Sequence, residues 1–379
     1  KIPNRRGTNS LKWDVDRKEL PMWVADMDFG TAPFIVDAIR KRCECEVLGY
    51  TGKPDSYYRA IINWVKQRYD LDVTKEMINF VPGIVPGIGM AMNSFTRPGD
   101  KVMIQPPVYH PFAWVTTRNE RTLVTNPLKW ENGMYRMDLD AFREQVKGCK
   151  LFILCNPHNP GGVVWTEDEL RTVAEICYEE KVLVFSDEIH ADLTLPPYKH
   201  RPFATISEKA KMNSVTFMSP SKAFNMPGLA ASHAIIFNED LRARFRKFMD
   251  AGELDMGHVF AFLSVEAAYT HGTEWLDQCL AYIQGNIDYV DNFLKTHAPR
   301  IKAIRPQASY LVWLDCRELG LNQEVLNDFF ADKAHLALND GAMFGKEGTG
   351  YMRLNVASPR SVIEQAMKQL AEAYQAMSF

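Results

Sequence analysis

Between about residues 100 and 240, short apolar runs recur, with polar stretches of helical pattern between several of them. The runs are KVMIQ (101–105), LVTNPL (123–128), KLFILC (150–155), KVLVF (181–185), SVTFM (214–218) and HAIIF (233–237). Thr166 followed by Glu169 has capping-box spacing and predicts a helix start. From there Leu170, Val173, Ala174 and Cys177 fall at i, i+3, i+4 and i+7, which gives one apolar face. That helix runs into 182–185, a continuous apolar stretch of the kind buried on both sides of a sheet. Strand, helix and strand in this order predict an α/β crossover, and such sheets bind their ligands beyond the carboxyl ends of the strands.

After about residue 240 the texture changes. Two helical stretches, LRARFRKFMD (241–250) and EWLDQCLAYIQGNIDYVDNFLKTH (274–297), precede a second set of elements. These are strand-like YLVWLD (310–315), helix-like NQEVLNDFFADK (322–333), strand-like YMRLNV (351–356) and a terminal helix from about Pro359. They predict a smaller α+β domain. The segment before residue 45 is too short for a core of its own and is expected to join it. The domains are therefore read as 46–270, large, and 1–45 with 271–379, small.

Length agrees with two units, since 379 residues exceed what one core usually holds. An apolar fraction of 46% excludes general disorder, and a net charge of −3 excludes a strongly basic nucleic-acid binder. Seven cysteines, an odd number without regular spacing, do not form a disulfide framework, and no C-x-x-C repeat or H-E-x-x-H helix suggests a metal. KIPNRRGTNSLKWD has basic groups with no apolar stretch after it, unlike a secretory signal. The apolar run 80–95 is interrupted by Pro82 and Pro86 and is too short for a bilayer. A cytoplasmic protein without membrane or nucleic-acid partners is expected.

Three segments then place polar groups where that sheet should bind its ligand. In CNPHNPGG (155–162), paired Asn-Pro and Gly-Gly turns present Asn156 and Asn159 on a fixed backbone, and turn chemistry alone suffices for Asn156. In FSDEIHADL (185–193), Asp187 follows a buried strand, as a helix cap or as the partner of a buried cation. In SPSKAFNMPGL (219–229), Lys222 follows a strand, with the hydroxyls of Ser219 and Ser221 just before it. A lone lysine there is ordinarily a solvated surface residue. An amine, a carboxylate and an amide at three strand ends instead make one constellation, a pyridoxal phosphate site.

With PMWVADMDF (21–29), GYTG (49–52), PPVYHPF (106–112) and YMRLN (351–355), these segments resemble the fold-type I pyridoxal phosphate enzymes of the class I/II aminotransferase superfamily. Within that group the chain is most similar to the MalY/PatB-type C–S β-lyases, or cystathionine β-lyases, over nearly its whole length. The resemblance implies an α/β large domain with a central, mostly parallel sheet and a small α+β domain. It implies that Lys222 is the Schiff-base lysine and the acid–base catalyst, and that Asp187 pairs with the pyridine nitrogen. Asn159 would bond the ring oxygen with His190 close by, and Tyr109 would stack on the ring and share in catalysis. Backbone amides near Ile84 and Val85, with the Ser219 and Ser221 hydroxyls, would take the phosphate. Tyr50 would reach the phosphate of a neighbouring subunit, which implies a homodimer. Arg353 would fork the substrate α-carboxylate beside Asn159 and the backbone near Ala25.

Two positions depart from the aspartate aminotransferase pattern. Ala230 stands where that group has a phosphate-binding arginine, and His190 where it has a tyrosine. Both changes occur in the C–S lyases and favour elimination. The expected reaction is therefore α,β-elimination of L-cystathionine, L-cysteine or a related sulfur amino acid to pyruvate, ammonia and a thiol or hydrogen sulfide. An aminotransferase on the same scaffold and a cofactor-binding regulatory protein are the alternatives. His258 and His335 are read as packing or surface residues.

Overall fold

A computed structural model describes residues 3–14 and 18–377. The apolar runs become a seven-stranded sheet: β1 (Ile78–Val81), β2 (Lys101–Ile104), β3 (Thr122–Thr125), β4 (Cys149–Cys155), β5 (Leu183–Asp187), β6 (Ser214–Met218) and β7 (Ser232–Ile235). Their order is β1-β7-β6-β5-β4-β2-β3. All pairs from β3 to β6 are parallel, whereas β7 is antiparallel to both β6 and β1. The expected α/β, mostly parallel sheet is thus present. The sequence reading lacked β1, whose four residues merge with the glycine-rich apolar run behind them.

The period-two alternation of strand side chains divides the core. Phe152, Leu154 and Val184 pack to one side with Val173 and Cys177, from the helix Glu167–Glu179. Leu151, Ile153, Phe185 and Phe217 pack to the other with Ile88 and Met92, from the helix Ile84–Phe95. Each such side chain contributes about 2 kcal/mol by leaving water. Thr166 and Glu169 form the full capping box, backbone and side chain in both directions. Three strand ends are thereby held level, with Cys155 opposite Asp187 and Asp187 opposite Phe217.

The second sheet is antiparallel: β8 (Lys302–Ile304), β9 (Leu311–Asp315), β10 (Asn339–Asp340) and β11 (Tyr351–Asn355), in the order β8-β9-β11-β10. The long helix Thr273–His297 and the terminal helix Arg360–Gln375 pack against each other beside it. The N-terminal segment joins this unit, since Leu20 and Pro21 pair with Leu336 and Ala337. Asp28 gathers donors from Arg5 at 2.8 Å, Lys12 at 2.6 Å, Trp13 at 2.8 Å and Ser358 at 2.9 Å. The helix Pro33–Cys43, however, packs on Val259–His271. Among the described residues no helix is long and apolar enough to cross a membrane, and no cluster of His, Cys, Asp and Glu could hold a metal.

Candidate active site

Beyond the carboxyl ends of β4, β5 and β6 lies a cavity of about 230 Å³. Its walls include Ile84, Val85, Tyr109, Asn159, Asp187, His190, Ser221 and Lys222. Each lies at or soon after the carboxyl end of a strand, so the level strand ends bring them together although they span residues 84 to 222.

Asp187 ends β5 with its side chain buried, and its Oδ1 accepts from the Ile189 amide at 3.1 Å. Burial pushes this carboxyl up to about 7, and neighbouring Glu188 adds to the rise against Lys222. A buried acid in this state favours a cationic partner inside the cavity. Lys222 is pushed down to about 8, first by burial and then by the positive charge of Arg353. Its Nζ donates to the Ala25 carbonyl at 2.6 Å. Near neutrality about a tenth of it is therefore an uncharged amine, the form that can act as nucleophile or base.

Arg353 lies on β11, 3% exposed, between Trp313 and Asn339 of the adjacent strands. Its Nη1 donates to Asn159 Oδ1 at 3.1 Å, and its Nη2 to Asn339 Oδ1 at 2.6 Å and the Trp23 carbonyl at 3.2 Å. Only the oxygen of Asn159 can accept from a guanidinium, so its NH₂ is left for the cavity. The Arg353 Nε is buried without a partner, and the guanidinium lies 4.8 Å from the Phe344 ring centre. Burial lowers Arg353 to about 10. A buried cation held by amide and carbonyl oxygens is suited to a carboxylate from outside the chain.

His190 Nδ1 is likewise buried and unpartnered, and burial holds the ring down to about 3, so it is neutral. Tyr109 is raised by burial and keeps its proton. The helix Ile84–Phe95 begins at Gly83, with φ +136°, and has no side-chain cap. Its first N–H groups are free for an anion.

This donor set fits pyridoxal phosphate: an uncapped helix end and a hydroxyl for phosphate, a buried acid for the ring nitrogen, and an amine of lowered pKa.

Not every expected residue reaches the cavity. Ser219 lies behind it, donating to the Ala231 carbonyl at 2.8 Å and accepting from the Ser221 amide at 3.1 Å. Tyr50 is 98% exposed and borders a separate hollow with Leu48 and Met256. Asn156 spends its amide on the Arg201 carbonyl at 3.1 Å, a turn role. Sequence reasoning missed Ser232, which lines the cavity near Ala230, and Asn339. Neither stands in a motif, and only pairing across sheets reveals them.

Residues 21–370 match the family model described as aminotransferase class I and II. The chain is 39% identical to cystathionine beta-lyase PatB of Bacillus subtilis, covering 98% of each chain. Among solved structures it superposes on pyridoxal 5'-phosphate-containing cystalysin from Treponema denticola with a TM-score of 0.96, at 34% identity, covering 100% of this chain and 98% of that one. It matches a pyridoxal phosphate-bound C–S lyase from Staphylococcus hominis with a TM-score of 0.92, also at 34% identity, over 99% and 97% of the two chains.

Proposed function

We propose that this chain, which belongs to the aminotransferase class I and II family, is a pyridoxal phosphate-dependent carbon–sulfur lyase of the cystathionine β-lyase type. Its substrates are L-cystathionine and related sulfur amino acids, L-cysteine included. Water is consumed, and the products are pyruvate, ammonia and a thiol, or hydrogen sulfide from L-cysteine. The observation that carries this reading is Asn159, which lines the cavity with Lys222 and Asp187 while its Oδ1 is held by the buried Arg353.

Pyridoxal phosphate, when bound, supplies a conjugated ring that stabilises negative charge at the substrate Cα. Asp187 holds the proton on the ring nitrogen. The Asn159 NH₂, His190 and Tyr109 would hold the ring from the cavity walls. The amides of Ile84 and Val85 and the Ser221 hydroxyl take the phosphate, with Ser219 bracing Ser221. Lys222 would hold the cofactor, and its Nζ, when free, would take the Cα proton of the substrate. Arg353, with the backbone near Ala25, holds the α-carboxylate. Lys222 or Tyr109 delivers a proton to the departing sulfur.

The reading also includes a homodimer in which Tyr50 reaches the phosphate of the partner subunit. Its support is an exposed apolar stretch, Val47, Leu48 and Tyr50, which calls for a cover. Seven free cysteines suit a reducing cytoplasm. We divide the chain into a cofactor domain and a small domain built from both chain ends. Because Pro33–Cys43 packs on Val259–His271, the first boundary is drawn near residue 32 rather than 45.

Pure protein given L-cystathionine without a keto acid should form pyruvate and a thiol, and Lys222→Ala should abolish both. Turnover only in the presence of a keto acid would instead make it an aminotransferase.

A further inference from the structure

The segment 22–29 has no helix or strand, yet its carbonyls are held one after another. Asn355 donates its amide to the Met22 carbonyl at 2.9 Å, and its Nδ2 to those of Val24 at 2.6 Å and Asp26 at 2.7 Å. The carbonyl between these two, that of Ala25, accepts from Tyr310 Oη at 3.0 Å and from Lys222 Nζ at 2.6 Å. Further along, Asn225 Nδ2 donates to the Met27 carbonyl at 3.0 Å and the Phe29 carbonyl at 2.9 Å. Asn225 stands three residues after Lys222, so the lysine turn and the segment it touches are tied together.

We infer that Asn355 and Tyr310 are positioning residues that fix the Ala25 carbonyl as the acceptor for the Lys222 amine whenever that amine is free of the cofactor. The inference rests on the reading of Lys222 as the base at Cα. An amine that donates one N–H to a carbonyl directs its lone pair away from that oxygen. A carbonyl oxygen has two lone pairs; Tyr310 occupies one and leaves the other to the lysine. Asn355 grips the carbonyls on either side, so the Ala25 peptide plane cannot rotate without breaking these partly buried hydrogen bonds. The freed amine is then neither mobile nor masked, and the proton it takes comes from a fixed direction.

The test uses the full chain, with and without cofactor, as wild type, Tyr310→Phe and Asn355→Ala. Lys222 of the cofactor-free protein is labelled by brief acetic anhydride pulses across a pH series and read by peptide mass spectrometry. Losing a fixed carbonyl removes stabilisation of the ammonium, so the pH of half-labelling should fall by about half a unit or more in both variants. With cofactor and L-cystathionine, kcat should fall about tenfold while KM stays within about threefold. Should Tyr310→Phe fail to fold, Asn355→Ala carries the comparison alone. An unchanged or raised half-labelling pH in a folded variant, or an unchanged kcat, overturns the inference. The labelling needs no substrate, so a wild type that makes no pyruvate defeats the lyase reading while the labelling result still decides the placement of Lys222.

Discussion

Arg353 Nη2 donates to Asn339 Oδ1 at 2.6 Å, and the two residues face each other across the β10–β11 pair. The partner is a neutral amide, so it fixes the guanidinium without cancelling its charge. Asn339→Asp supplies a competing carboxylate, and should raise KM for an amino-acid substrate about tenfold with kcat changed less than about threefold. Steady-state kinetics on L-cystathionine checks this; an unchanged KM would remove Arg353 from the carboxylate site.

Asp187 provides a pH test whose sign is fixed by its burial. Its carboxyl is raised from 3.8 to about 7 in the folded chain. Without cofactor, the native state keeps a proton that the unfolded state has lost, so stability falls as pH rises from about 4 to 7. Asp187→Asn removes that penalty. Cofactor-free Asp187→Asn should be more stable than wild type at pH 8, on the order of 4 kcal/mol if the whole shift is expressed, and equal to it near pH 4. Urea unfolding at the two pH values measures the difference. With cofactor the same variant should lose about a hundredfold or more in turnover, because nothing then favours a protonated ring.

Tyr50 tests the shared site. Tyr50→Phe removes one hydroxyl from a side chain 98% exposed in the single chain, so the stability of the monomer should change by less than about 0.5 kcal/mol. Cofactor affinity should nevertheless fall about tenfold if the partner's phosphate is its target. Equilibrium dialysis against pyridoxal phosphate reads the affinity, and sedimentation tests for the proposed dimer.

Gly87 is where the helix Ile84–Phe95, proposed to take the phosphate, touches the sheet. A Cβ there would stand 2.9 Å from Val81 Cγ2 and 3.2 Å from Phe217 Cε1, both side chains of buried strands. Gly87→Ala should cost about 1–3 kcal/mol in denaturant unfolding. It should also loosen cofactor binding, since the helix can relieve the clash only by moving away from the sheet.

The strands around the site were legible because each is a continuous apolar run with a helix or turn signal beside it. The turns after β4, β5 and β6 were legible because Pro, Gly and paired polar residues interrupt those runs. β1 was not, since its partner β7 lies about 150 residues away and antiparallel pairing leaves no local mark. Ser219 and Ser221 look equivalent in sequence. The tight turn directs one hydroxyl into the backbone and the other to the cavity, a choice made by three-dimensional closure. Asn339, Tyr310 and Asn355 act through carbonyls and guanidinium groups supplied by remote segments, and composition carries no trace of such partners.

The placement of Ala25 and Arg353 also governs what a growing chain can do. All the cavity-lining residues that meet the ring and phosphate have been made once residue 232 is added. Ala25 is made before any of them, but Tyr310, which holds its carbonyl, and Arg353 and Asn355, which hold those of Trp23, Val24 and Asp26, arrive only later. Synthesis therefore completes the contacts proposed for the cofactor before those proposed for the substrate. Until Arg353 is added, the polypeptide lacks the guanidinium proposed to hold the carboxylate of an amino acid.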